Sequence, residues 1–120
     1  MAGWSMLRGE IRLTDLEPVR GSETNRRHPG VIVSNDRANA IAGRSGRGVV
    51  TVAPVTSSVA RVFAFQALLP AEETGLRMDS KAQAEQVRSV AVERIGQVVG
   101  RVPTHLMVQL DDALRLHLQL

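Results

Sequence analysis

What most limits the fold is the position of the clearest helix, which comes last. After Pro103, a residue suited to a first helical position, Leu106, Leu110, Ala113, Leu114 and Leu118 recur on one face. Before it, glycine and proline cut the chain into short apolar runs. Residues 7–16 (LRGEIRLTDL) alternate with Ile11 and Leu13 on one side and stop at Pro18, which predicts a first strand. Residues 21–29 are polar and rich in turn-formers, an exposed loop. Residues 30–34 (GVIVS) read as a buried strand, and 35–39 as a polar turn or one helical turn. GRSGRG at 43–48 reads as a flexible basic hairpin, since it lacks the lysine and serine or threonine of a phosphate-binding loop.

Residues 49–55 (VVTVAPV) form another buried strand, in which Pro54 must sit at an edge, a bulge or the strand end because it cannot donate to a ladder. Residues 62–69 alternate as a strand, and 70–76 connect it onward. In 81–90, Ala, Gln and Glu favour helix while Val87, Ser89 and Val90 favour strand, and strand is the reading taken. Residues 93–102, with Gly96 and Gly100, are irregular or a further strand with a turn. The sum is a mainly β protein, a small bent sheet or barrel with a C-terminal amphipathic helix. Met6 directly precedes the patterned region, so residues 1–6 are expected to be an N-terminal extension and 7–120 a single domain.

With no cysteine there is no disulfide framework, thiolate metal site or cysteine nucleophile. The histidines His28, His105 and His117 show no metal-ligand spacing, and no paired-carboxylate motif occurs. No apolar run is long enough to span a membrane and no secretory signal is evident, so a cytoplasmic protein is expected. Fourteen of the 15 cationic residues are arginine, whose planar fork matches phosphate oxygens. Between residues 20 and 61 there are seven arginines against two acids, or +5, while the chain as a whole carries +3. A polyanionic partner follows from that asymmetry. The aromatics are Trp4, Phe63 and Phe65; the two phenylalanines are expected to fill the core, leaving arginine and polar groups to hold any RNA. RNA brings its own nucleophile, the 2′-hydroxyl, so an enzyme built from Arg, Thr, Glu and a loop His needs neither metal nor catalytic cysteine.

Seven blocks then occur in a familiar order: RGEI (8–11), DLEP (15–18), GSE (21–23), a basic-then-proline step (26–29), VIVSND (31–36), APVTS (53–57) and EQVRSV (85–90), followed by GRVPTHLMVQLDDALRLHL. On these residues the chain resembles the MazF/PemK (Kid) toxins of type II toxin–antitoxin systems over 7–120, and SNDRANA and KAQAEQ are wording typical of their actinobacterial branch. The resemblance implies an SH3-like, CcdB-type small β-barrel forming a homodimer. It implies single-stranded RNA lying across the dimer interface and a MazE-like antitoxin whose extended tail covers the same surface. It further implies a cytoplasmic, metal-independent, cofactor-free endoribonuclease, an mRNA interferase that leaves a 2′,3′-cyclic phosphate and a 5′-hydroxyl and so inhibits translation and growth.

Carried over by residue, Thr56 falls on the threonine that hydrogen-bonds the scissile phosphate. Glu85 falls where relatives place an acid that acts as a base or binds a base edge, and Arg88 follows at the spacing of a phosphate-neutralising group. RNA contacts are expected from Glu23, Arg26 and Arg27, from Arg44 and Arg47, from Ser57 and Arg61, and from Gln86 and Arg88. Glu10 matches its motif either as a brace or as a participant in the chemistry. His28 departs from the pattern, because the family has arginine before this proline. Three readings stay open: Arg27 supplies the guanidinium, His28 takes over proton transfer, since an imidazole is the better acid or base at neutral pH, or the chain is a weakened or silent member. Such a member would bind RNA or antitoxin without cutting; a CcdB-like toxin directed at gyrase is the other alternative.

Overall fold

A computed structural model describes residues 5–16 and 27–120. It contains strands β1 (Glu10–Asp15), β2 (Arg27–Ile32), β3 (Val49–Thr56), β4 (Gln66–Leu69), β5 (Ser80–Gln83), β6 (Arg88–Ala91) and β7 (Ile95–Arg101). The helices are α1 (Asp36–Ser45), α2 (Ala71–Thr74) and α3 (Thr104–Leu118). The strands make one antiparallel sheet in the order β4-β5-β3-β2-β1-β7, with β6 also paired to β3. This is the mainly β fold with a C-terminal helix that the sequence predicts, except that the sheet is open: among the described residues the terminal strands β4 and β7 do not pair. The apolar face of α3 buries Leu106, Met107, Leu110 and Ala113 against Ile11, Val31, Val55 and Leu69. The α2 turn meets β7 at Gly100, where an added Cβ would lie 2.6 Å from the Thr74 carbonyl oxygen.

A second core lies on the other side of the sheet and gathers Met6, Leu16, Ile32, Val50, Val52, Val90 and Val92, with Ala42 from α1. Strand alternation divides the residues between the two cores: Val31 and Val55 face the first, Ile32, Val50 and Val52 the second. Met6, which the sequence reading placed with the N-terminal extension, is part of this second core, at 3% exposure.

β2 begins at Arg27, inside the stretch expected as a loop, so His28 and Pro29 are strand residues paired to β1. Three further departures from the expected elements each have a local cause. First, α1 runs ten residues rather than one turn, because its ends are well capped. Asn35 accepts the Ala38 N–H at 2.8 Å, and Gly46 takes the left-handed conformation (φ 68°) that closes the last turn. Residues 43–45 of GRSGRG are therefore helical. Second, 81–90 is not one strand: β5 and β6 both pair with β3, but Ala82 lies opposite Val55 while Arg88 lies opposite Val52, six residues against three. The surplus is taken up in a single 3-10 turn, Ala84–Gln86. Pro54 falls at this handover, between Val52, which pairs with β6, and Val55, which pairs with β5, so its missing donor interrupts neither ladder. Third, the strand expected at 62–69 shrinks to β4, and the phenylalanines before it are not core. Phe63 is 42% exposed and stacks on Phe65 with ring centroids 5.2 Å apart.

Candidate active site

β2 and β3 run side by side in the middle of the sheet, and their ends carry His28 and Thr56 to the wall of one cleft of about 500 Å³. Leu13, Pro29, Val55 and Val99 supply apolar lining; His28, Thr56 and Ser57 supply the polar groups on one side, and residues 75–78 come from the connection after α2. The Thr56 oxygen accepts the Ser58 N–H at 3.2 Å, which orients the hydroxyl and leaves its proton available to a ligand. His28 is exposed at the cleft, opposite the fully buried Thr14 across the β1–β2 ladder.

Of the expected residues, the structure thus brings together His28, Thr56 and Ser57. Arg27 is elsewhere: its guanidinium lies over Gly96 of β7, so close that a Cβ on Gly96 would come within 2.6 Å of it. Glu85 does not line the cleft. Carried in the 3-10 turn opposite the Pro54 handover, it accepts from Gln66 Nε2 at 2.8 Å through one carboxylate oxygen, while the other is buried with no hydrogen-bond partner among the described residues. Gln66 also accepts the Phe63 N–H at 3.1 Å, so this amide joins the Glu85 turn to the loop before β4.

Arg61, expected at the RNA, lies with its guanidinium 5.7 Å from the Phe63 ring centroid. The buried Lys81, opposite Thr56 in the β3–β5 ladder, donates to the Arg61 carbonyl at 2.7 Å and also faces that ring. Gln86 and Arg88 are exposed outside the cleft; Arg44 sits in the last turn of α1, and Arg47 follows beyond its C-cap. Glu23 and Arg26 lie outside the described residues. Glu10, buried at 5%, is a brace: it accepts from the Leu7 N–H at 3.1 Å and from Arg12 at 2.9 Å, and pairs with Arg101 at 3.4 Å. Among the described residues no three His, Cys, Asp or Glu side chains converge as a metal site requires, and no helix is long and apolar enough to cross a membrane.

Sequence reasoning missed Arg77, which lines the cleft from the connection after α2. Its one sequence signal was being a cation just outside the basic half of the chain, in a segment without motif or periodicity.

Comparison with known proteins places this geometry in context. The family described as "PemK-like, MazF-like toxin of type II toxin-antitoxin system" matches residues 7–118. Endoribonuclease MazF9 of Mycobacterium tuberculosis is 60% identical over 115 residues, covering 96% of this chain and 98% of that protein. Among solved structures, the Mycobacterium tuberculosis toxin MazF-mt6 superposes with a TM-score of 0.71 at 20% identity, covering 92% of this chain and 97% of that one. An endoribonuclease in complex with its cognate antitoxin, from a mycobacterial species, does so with a TM-score of 0.71 at 22% identity over 96% of each chain.

Proposed function

We propose, from the premise that this chain belongs to the PemK-like, MazF-like toxin family of type II toxin–antitoxin systems and is an endoribonuclease of it, that it cuts single-stranded RNA by making the 2′-hydroxyl attack the adjacent phosphate. His28 takes the 2′-hydroxyl proton, the 2′-oxygen bonds to phosphorus, and the bond to the 5′-oxygen breaks. The leaving oxygen takes a proton from water, which the open cleft admits. The products are a 2′,3′-cyclic phosphate and a 5′-hydroxyl. Thr56 donates its hydroxyl proton to a non-bridging oxygen, a contact worth most as charge accumulates in the transition state.

The observation that carries this reading is the meeting of His28 and Thr56 in one cleft, from two neighbouring strands. The placement of Arg27 over Gly96 favours the imidazole over the arginine one residue earlier as the reacting group. The protein acts as a cytoplasmic homodimer and is silenced by a cognate antitoxin. A dimer is supported by apolar surface that the single chain leaves uncovered, including Ile41, Val49 and Val98. Glu23, Arg26, Arg44, Arg47, Ser57, Arg61, Gln86 and Arg88 are proposed to contact RNA outside the reacting phosphate, and Glu85, held by Gln66, to read a base edge rather than move a proton.

The test is incubation of the purified protein with a long unstructured RNA in EDTA, with 5′-end mapping. Cleavage at a short preferred sequence that persists under chelation, and that falls by about 10²–10³-fold in Thr56→Ala, is the expected result. Thr56→Ala cutting at the native rate refutes the assignment, and native protein that binds the RNA but leaves it whole marks a silent family member.

A further inference from the structure

The attacked phosphate gains negative charge, and the β2–β3 side of the cleft is lined by an imidazole and two hydroxyls, none of them a permanent cation. The connection after α2 supplies one. Arg77 is the arginine lining this cleft, and among the described residues it has neither hydrogen bond nor ion pair. Other arginines are committed: Arg8 to Asp111, Arg12 and Arg101 to Glu10, and Arg115 to Asp112. Two acids near Arg77 in sequence are engaged elsewhere as well. Asp79 accepts the Ala71 N–H at 2.9 Å, and Glu73 pairs with His105 at 2.6 Å. The segment that carries Arg77 is also anchored: the Thr74 carbonyl and Gly75 pack against Gly100 of β7, and Leu76 packs against the first core. A cation with no acidic partner among the described residues, on an anchored segment beside an apolar floor, is suited to binding a phosphate.

We propose that Arg77 is a catalytic residue of this cleft, donating guanidinium N–H groups to the non-bridging oxygens of the scissile phosphate across from Thr56. The inference rests on the proposed RNA cleavage and adds the cation that His28 and Thr56 do not provide. Arg77 neither gains nor loses a proton. It offsets charge while the 2′-oxygen to phosphorus bond forms and the 5′-oxygen bond breaks, and His28 remains the proton acceptor.

Two measurements on the full chain test the role. In single-turnover cleavage, Arg77→Gln is expected to lower the rate by about 10²–10³-fold with a much smaller change in KM. Arg77→Lys should restore part of the rate, since it keeps the charge and loses the fork; Arg115→Gln, on α3, should cut at the native rate. The second measurement is salt-dependent binding of the 2′-fluoro analogue of the same RNA, which lacks the nucleophile. Arg77→Gln should lower the slope of log affinity against log salt by about 0.7, one single-strand phosphate contact. Arg77→Gln cutting at the native rate, or binding with an unchanged slope, overturns the proposal. If the native protein cuts no RNA, the cleavage reading fails on its own and the slope still decides whether Arg77 holds a phosphate. Because Arg77 is exposed and makes no hydrogen bond or ion pair among the described residues, a urea melt should match that of the native protein.

Discussion

Gly100→Ala probes whether the close approach of β7 to the α2 turn is what sets the cleft. An alanine Cβ would lie 2.6 Å from the Thr74 carbonyl oxygen, 3.3 Å from Ile11 Cδ1 and 3.5 Å from Leu76 Cδ2. Carbon-to-oxygen contacts settle at about 3.3 Å or more, so strand and turn must part by about 0.7 Å. No side-chain rotation relieves this, because the obstacle is backbone and Ile11 is fully buried. Overpacking of this kind costs about 1–3 kcal/mol, while the reduced freedom of the unfolded chain returns about 0.4–1 kcal/mol. The net expectation is a loss of about 1–2 kcal/mol. Against a total of about 5–15 kcal/mol, more than about 99% of the protein stays folded, so unfolding cannot explain lost activity. The displaced turn carries Leu76 and Arg77 in the cleft wall. A misplacement of about 1 Å costs up to 10²-fold in rate, so cleavage should fall by about tenfold or more.

The assay pairs urea unfolding at fixed protein concentration, since association adds to apparent stability, with single-turnover RNA cleavage. Gly46→Ala is the control. Gly46 has open space around it but a φ of 68°, so alanine there pays about 1–2 kcal/mol of left-handed strain at a residue that does not line the cleft, and at saturating protein should cut at the native rate. Native stability and rate in Gly100→Ala would refute the reasoning, as would an equal rate loss in Gly46→Ala.

Leu110→Ala, at a fully buried position of α3, should cost about 2–5 kcal/mol in a urea melt; a loss well below that would mean the helix does not seal the first core. Glu10→Ala strips the Leu7 N–H, Arg12 and Arg101 of their shared acceptor and should cost about 1–3 kcal/mol while the cleavage rate is unchanged. Native stability with lost cleavage would instead put Glu10 in the chemistry. If His28 accepts the proton, the acid limb of the pH–rate profile should vanish in His28→Arg; a limb common to both proteins would remove the imidazole from that role.

The sequence revealed features that local chemistry alone decides. The apolar stripe of α3, the β-branched run of β3 and the alternation of β1 mark their elements whatever lies beside them. The APVTS and basic-proline blocks led to His28, Thr56 and Ser57, and the cleft unites them. What stayed hidden depends on partners remote in the chain. The interruption between β5 and β6 exists because both pair with β3 around Pro54, a register that no reading of 81–90 contains. Asn39, read as part of a polar turn, is fully buried because it bonds Ser34 across the start of α1. Phe63 and Phe65 satisfy each other by stacking in a loop, against the usual preference of phenylalanine for the core. Arg77 reaches the cleft through the fold of α2 against Gly100, a contact between residues far apart in sequence. Glu85, which its motif marks as a base or a base-edge reader, is turned away from the cleft by its bond to Gln66, nineteen positions earlier.

The division of β2 and β3 between two cores has a consequence for how the molecule opens. Val31 and Ile32, adjacent in β2, face opposite interiors, as do Val52 and Val55 in β3, so peeling either strand exposes both interiors to water at once. Half-open states in which one interior melts while the other persists are thereby penalised, and the amides at the centre of these two strands should exchange with solvent only through global unfolding. His28 and Thr56 stand at the ends of these two strands, so fraying there should change their spacing well before either interior opens.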